Sequence, residues 1–328
     1  MYVTINASLE SFHIRFVVAL WLASWLSRRG LRKQSLSNSG AWAAWFVGLA
    51  SFASSFRFGL VLILFYQTSS YWTKYKQEEK ARFDADHKPG GQRDATQVLS
   101  CSLLATLIAV IFLVFEGEDR TDIDFDAQPV RSFLLCAYLG HYACCAGDTW
   151  ASELGVLASG EPFLITNFRR VPTGTNGGIT LWGTSASLLG GIVMGAGFAI
   201  CSAYQVHGMF WMRGNYQWGG CIALGACAAL VGSMLDSVLG ATLQATHYDT
   251  DRKCIVSTAD SAATAAHGDD APGASTGTAP STRSGRKLSE PVAKIVEAAI
   301  AEQRSLGGST STSTSSARRN VVHICGRD

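Results

Sequence analysis

Residues 98–115 read VLSCSLLATLIAVIFLVF, an apolar run without any charged side chain. A helix needs about 20 apolar residues to cross the hydrocarbon core of a bilayer, so this run is close to the length of a membrane span. The composition of the whole chain agrees, because charged residues make up 16% and hydrophobic residues 48% of it, whereas typical soluble domains contain about 25% charged residues. A single soluble globule is therefore excluded.

Similar apolar runs lie on both sides of this stretch, and short polar segments between them hold most of the charges. The pattern predicts an all-α fold, a polytopic transmembrane helical bundle of about seven spans with a disordered C-terminal tail. Residues 1–256 form the predicted membrane domain, and residues 257–328, rich in Ser, Thr, Ala and Gly, form a low-complexity cytoplasmic tail. The predicted spans are residues 12–27, 41–56, 58–72, 98–115, 130–146, 179–204 and 217–243.

The stretch from residue 41 to residue 72 has two interpretations, which differ in the place of Arg57. One long tilted helix would hold this arginine in the hydrocarbon, whereas a helical hairpin would place it at the turn. A lone arginine at the centre of a span is costly, so the hairpin is favoured.

The distribution of the basic residues supports the hairpin, because a chain with seven spans places the basic clusters on one side of the membrane. The clusters at residues 28–33, 74–93 and 169–170 all fall on one side, together with the tail, while the acidic run 116–126 falls on the other. By the positive-inside rule the basic side is cytoplasmic, and the N-terminus is exoplasmic.

The first polar motif on the basic side contains Gly90, Gly91 and Arg93. A glycine pair beside cationic side chains lets backbone amides and a guanidinium approach a phosphate together. The alternative is a solvated basic loop that favours anionic lipid.

The second motif, Gly147-Asp148-Thr149-Trp150-Ala151-Ser152-Glu153, lies at the cytoplasmic end of the fifth span. Carboxylates such as Asp148 and Glu153, beside hydroxyl groups, are ligands suited to Mg²⁺, which often uses one or two carboxylates plus substrate phosphates. A helix end with a solvated acid is the alternative.

The third motif precedes the sixth span and contains Arg169 and Arg170, followed by Gly174, Thr175, Asn176, Gly177 and Gly178. Free N–H groups and the helix dipole at a helix N-terminus favour an anion. The spacing of a Walker A loop is absent, and a simple turn before a helix is the alternative.

Asp236 near the end of the last span is the fourth element, because an acidic residue within a span is a candidate functional group. It is expected to face the bundle rather than lipid, on one face with Ser233, Ser237 and Gly240.

These motifs resemble the transmembrane protein 19 family, which includes the plant phytyl-phosphate kinases. The matching stretches are residues 90–93, 147–155, 164–166 with 171–178, and 236–242. The resemblance implies a polytopic membrane protein and, as in the plant members, phosphoryl transfer from a nucleoside triphosphate such as CTP to an isoprenyl monophosphate. The family pattern continues beyond residue 328 into a final span, so a truncation before that span is expected.

The leading hypothesis is therefore a membrane-embedded lipid-phosphate kinase. Asp148, Glu153 and Asp236 are predicted to bind Mg²⁺, while Gly90, Gly91 and the turn 174–178 contact phosphate oxygens. Arg93, Arg169 and Arg170 neutralise the remaining phosphate charge, and the isoprenoid tail lies between apolar helices. The expected partners are membrane lipid, a nucleoside triphosphate and an isoprenyl phosphate.

Two other classes remain open. A cation-coupled transporter would bind cations with Asp148 and Asp236 at broken helices near the middle of the bilayer, and a non-enzymatic membrane protein would leave the polar motifs unexplained. Nucleic acid is not an expected partner, because the net charge is only +2 and no basic face stands out.

Overall fold

The computed structural model of the chain describes residues 2–83, 92–117, 119, 122–207, 217–249, 254–256 and 321–324. Seven long helices and one short helix lie within this described part. They are α1 (Tyr2–Arg32), α2 (Asn38–Ser54), α3 (Phe56–Lys74), the short α4 (Gln77–Lys80), α5 (Ala95–Glu116), α6 (Pro129–Gly155), α7 (Leu181–His207) and α8 (Trp218–Leu243).

Each of the seven predicted runs corresponds to one long helix, so the all-α helical prediction is confirmed. Within the described residues, three helical segments are long and apolar enough to cross a membrane on length and composition: Ala95–Glu116, Leu181–Tyr204 and Trp218–Leu243. The low-complexity stretch from residue 257 to residue 320 lies outside the described residues, so its predicted disorder stays a prediction.

The hairpin prediction is also confirmed, because the helix breaks at Ser55. This residue has an extended backbone with φ −160° and ψ 145°, and it serves as C-cap of α2 and N-cap of α3 at once. Its N–H donates to the Ser51 carbonyl at 3.1 Å, and its hydroxyl accepts the Arg57 N–H at 3.1 Å. One serine therefore satisfies backbone groups at both helix ends.

The chain divides into two compact units. The first contains residues 1–77, 88–155 and 181–234, and the second contains residues 78–87, 156–180 and 235–328.

Aromatic side chains of four helices form the core of the first unit. The rings of Phe58 and Tyr138 lie 4.3 Å apart, and both are fully buried. The Tyr138 hydroxyl donates to the Phe58 carbonyl at 2.7 Å, which satisfies a polar group that burial would otherwise make costly. Phe112 and Phe198 pack into the same cluster.

Arg57 is fully buried at the first turn of α3. Its Nε donates to Asp119 Oδ2 at 2.9 Å, its second terminal nitrogen pairs with Asp119 Oδ1, and its first terminal nitrogen donates to Ser202 Oγ at 2.8 Å. The Ser55 hydroxyl donates to Asp119 at 2.7 Å. Asp119, the partner in this buried ion pair, comes from the acidic run 116–126 and also binds the serine at which the helix breaks.

Short strands distinguish the second unit, and the sequence did not predict them. Strands β1 (Phe163–Leu164) and β2 (Gly178–Ile179) pair antiparallel, with Phe163 opposite Ile179. Strands β3 (Thr246–Asp249), β4 (Cys254–Val256) and β5 (Val321–Ile324) form an antiparallel sheet in the order β4-β3-β5. Within the stretch predicted to be a tail, β5 therefore pairs with a strand that directly follows α8.

Candidate functional site

The backbone holds Arg93 beside the connection between α1 and α2. Its N–H donates to the Ser35 carbonyl at 3.1 Å, and its carbonyl accepts the Ser37 N–H at 2.9 Å. These bonds form a parallel bridge between Leu36 and Arg93. The neighbouring Gly90 and Gly91, which were predicted to contact phosphate, lie outside the described residues.

Polar side chains in the last turns of α3 orient the Arg93 guanidinium. The guanidinium carbon lies 6.0 Å from the ring centre of Tyr66, and a terminal nitrogen lies 3.4 Å from Ser70 Oγ. The Tyr66 hydroxyl is 2.7 Å from Ser35 Oγ, which links the ring back to the same α1–α2 connection. Sequence reasoning missed these supporting residues, although the run of polar side chains near the end of an apolar span was a visible signal.

Asp148 lies on α6, which continues to Gly155 as predicted, and its side chain is half-buried. Arg93 and Asp148 are both close enough to the Cys101 side chain on α5 to act on it electrostatically. Residues from the first and second motifs, 55 positions apart in the sequence, therefore both act on one side chain of the first unit.

Helix packing explains the glycine that precedes Asp148. A Cβ atom at Gly147 would lie 2.6 Å from the Ala229 methyl carbon and 2.8 Å from Ser187 Oγ, on α8 and α7. Three helices therefore meet at a point where only a hydrogen fits. The glycine in this motif therefore has a structural reason.

The hydroxyl groups of the second motif bond to the backbone of their own helix. Thr149 Oγ1 donates to the Cys145 carbonyl at 2.8 Å, and Ser152 Oγ donates to the Thr149 carbonyl at 3.1 Å. Glu153 is half-buried on the same helix. Asp148 and Glu153 are the carboxylates of this motif.

The glycine-rich third motif is a folded loop of the second unit. The backbone N–H groups of Thr175 and Gly178 donate within the loop, at 3.2 Å and 3.0 Å, and the Asn176 N–H donates to Thr246 Oγ1 at 3.1 Å. These three donors therefore already have protein acceptors, so the expected backbone phosphate cradle is not formed by them. Arg169 and Arg170 are exposed, and the Arg170 guanidinium lies over the ring of Phe163.

The same loop packs against the last turns of α8. Gly177 has φ +77°, and a Cβ atom there would lie 2.7 Å from the Ser237 carbonyl oxygen. Gly174 also has a positive φ, of +93°. A side chain at Gly177 would thus face both a backbone penalty and a clash. The loop and the turn of α8 that holds Asp236 are therefore parts of one packed substructure.

Asp236 itself is exposed, which corrects the expectation that it faces the bundle. Ser233 and Gly240 on the same helix are buried, and Ser237 is half-buried. The small residues of this face occupy the packed side, while the longer acidic side chain lies at the margin. Asp236 is therefore not enclosed by the helices that the structure describes.

Carboxylates do not form a complete metal site in the described part of the chain. No three His, Cys, Asp or Glu side chains there are grouped so that they could hold a metal ion. A magnesium ion bound here would need oxygen ligands from a substrate, which is usual for magnesium in nucleotide sites.

Comparison with known proteins identifies the family of this chain. Residues 21–302 match the integral membrane protein DUF92 family. "Protein PGR" of Arabidopsis thaliana is 37% identical over 242 residues, which cover 74% of this chain and 83% of that protein. The "Uncharacterized membrane protein sll0875" of Synechocystis is 30% identical over 213 residues, which cover 65% of this chain and 73% of that protein.

A more distant relative is "Protein VTE6, chloroplastic" of Arabidopsis thaliana. It is 25% identical over 155 residues, which cover 47% of this chain and 44% of that protein. No solved structure matches the chain significantly. The matched length and the identity to the plant and cyanobacterial proteins show that the chain belongs to the integral membrane protein DUF92 family.

Proposed function

We propose that this chain is a membrane-embedded lipid-phosphate kinase that transfers a phosphoryl group from a nucleoside triphosphate, CTP-like, to an isoprenyl monophosphate. The observation that carries the proposal is that the Arg93 cation and the Asp148 carboxylate both act electrostatically on the Cys101 side chain, where α6 contacts α5 through His141 Nε2, 2.8 Å from the Cys101 carbonyl oxygen. A cation and a carboxylate at one site suit a phosphate and its accompanying Mg²⁺. The resemblance to the plant phytyl-phosphate kinases indicates the reaction. The apolar helices of an integral membrane protein offer an environment in which the isoprenoid tail can be bound.

The reaction needs positioning and charge neutralisation more than a strong base. An oxygen of the acceptor monophosphate attacks the terminal phosphorus of the nucleotide, and the nucleoside diphosphate leaves. The acceptor oxygen is already anionic, so little deprotonation is required. Arg93 neutralises phosphate charge in this step, and the exposed Arg169 and Arg170 attract the nucleotide phosphates.

Magnesium binding is assigned to carboxylates with the substrate phosphates as co-ligands. Asp148 is the principal proposed ligand because it and Arg93, the arginine proposed to contact phosphate, both act electrostatically on Cys101, and Glu153 and Asp236 are the further proposed ligands. When bound, the ion would offset the negative charge on the phosphates.

The test is an assay of the purified full chain with labelled CTP or ATP and isoprenyl monophosphates of several chain lengths. We expect an isoprenyl diphosphate as product and a loss of about a hundredfold or more for Asp148→Asn and Arg93→Gln. Asp126→Asn, an exposed carboxylate in the loop before α6, is the matched control and retains the activity. No product from any acceptor, or full activity of folded Asp148→Asn, contradicts the proposal.

A further inference from the structure

One exposed face of α1 changes from apolar to basic along its length. Ile14, Val17, Trp21 and Trp25 expose 67%, 63%, 64% and 46% of their surface. They follow helical spacing, so they form a continuous stripe on the side of α1 that no other described helix covers. In a membrane protein, such a stripe contacts the acyl chains of lipids.

The stripe leads into a groove with a volume of about 560 Å³. Trp21, Ser24 and Trp25 line its apolar part, while Arg28, Arg29, Arg32 and Lys33 line its basic part. None of the lining residues that the structure describes is acidic. Four cations within two helical turns repel each other, so the groove is electrostatically suited to an anion.

The aromatic part of the groove is ordered. The rings of Trp21 and Trp25 are stacked with 7° between their planes, and the Arg29 guanidinium carbon lies 5.3 Å from the Trp25 ring centre. Ser24 accepts a hydrogen bond from Trp45 Nε1 of α2 at 3.0 Å. Tryptophan beside arginine is the composition found at the level of lipid headgroups.

We propose that this groove binds the headgroup of an anionic phospholipid from the surrounding leaflet. The phosphate contacts the guanidinium groups at the end of α1, and the acyl chains follow the stripe from Trp25 to Ile14. A free phosphate ion would use the basic part alone and leave the aromatic part without a partner. The combination of a basic part and an aromatic part in one groove therefore favours a lipid. This inference does not depend on the proposed kinase activity.

The test measures lipid binding to the full chain by native mass spectrometry after incorporation into bilayers of phosphatidylcholine, with and without phosphatidylglycerol. We expect phosphatidylglycerol to be retained by the native chain. Arg28→Gln combined with Arg32→Gln removes two cations, each worth ~1 kcal/mol near an anionic lipid, so retention should fall about 30-fold.

Lys76→Gln combined with Arg82→Gln is the matched control, because these residues are exposed and basic but lie outside the groove. It should retain phosphatidylglycerol like the native chain. Arg28→Lys combined with Arg32→Lys should restore most of the binding, which separates loss of charge from loss of folding.

Three outcomes overturn the proposal. Equal loss in the groove variant and the control variant would indicate general attraction to an anionic surface. Retention of phosphatidylglycerol in the groove variant would place the lipid elsewhere. Complete displacement of the lipid by inorganic phosphate at matched ionic strength would show that the groove recognises the free anion.

Discussion

Replacing Asp119 by asparagine keeps the size of the side chain but leaves the guanidinium of Arg57 as a buried cation without its counter-charge. Both side chains are fully buried, and Arg57 donates to both carboxylate oxygens. Asparagine keeps one acceptor oxygen, so the substitution removes one hydrogen bond between charged groups, ~1.5–3 kcal/mol, together with the attraction between the two charges. Because the guanidinium then stays buried without a counter-charge, we expect the total cost to be ~3–5 kcal/mol, as is usual for removing one partner of a buried ion pair.

Removing the other partner of the ion pair, by Arg57→Met, should lower the free energy of unfolding by less, about 2–3 kcal/mol. The reason is that Asp119 keeps the hydroxyl of Ser55 as a donor at 2.7 Å and interacts with the cation of Arg131. Arg57, in contrast, keeps only the hydroxyl of Ser202 and the ring of Phe198 among its described partners. The combined variant Arg57→Met with Asp119→Asn buries no net charge and should be more stable than Asp119→Asn alone.

The assay is unfolding of the purified chain in mixed detergent micelles by increasing SDS, followed by tryptophan fluorescence. Asp126→Asn, an exposed acid in the same loop, is the control and should change the free energy of unfolding by less than ~0.5 kcal/mol. High salt should change little, since a buried pair is weakly screened. Additive effects of the two substitutions, or a cost below ~1 kcal/mol for Asp119→Asn, would refute the reasoning.

Three further predictions concern the helices around the candidate site. Gly147→Ala should destabilise the bundle by ~1–3 kcal/mol in the same SDS titration, because its Cβ would lie 2.6 Å from a methyl carbon of α8. Gly160→Ala is the control and should leave the stability unchanged, because the space around Gly160 is open. Equal effects of the two substitutions would contradict the packing argument. Asp148→Asn and Glu153→Gln, on the same helix, should each lower magnesium-dependent turnover about a hundredfold or more, with the double variant scarcely worse; strictly multiplicative losses would separate their roles. A cysteine introduced at Gln77 should react with an impermeant reagent from the cytoplasmic side only, and exoplasmic labelling would reverse the topology.

The helices and the hairpin were predictable because they depend on local sequence. Apolar runs of sufficient length specify helices in a membrane, and the cost of a lone arginine in hydrocarbon placed the break near Arg57. The burial of Arg57 was not predictable, since it depends on Asp119, 62 positions away. A sequence shows that a charge is present, but it does not show which distant partner allows the charge to be buried.

The glycine-rich loop shows the same distinction in the candidate site. Its composition correctly indicated a tight turn, because Gly174 and Gly177 both adopt positive φ. Whether its N–H groups are free depends on acceptors such as Thr246, 70 positions away, which composition does not show. Since three of these donors are satisfied, phosphate recognition by this chain would depend on arginine side chains more than on backbone amides. Substitution of Arg93 should accordingly lower phosphate affinity more than Thr175→Ala, whose hydroxyl donates to the Pro172 carbonyl at 2.7 Å.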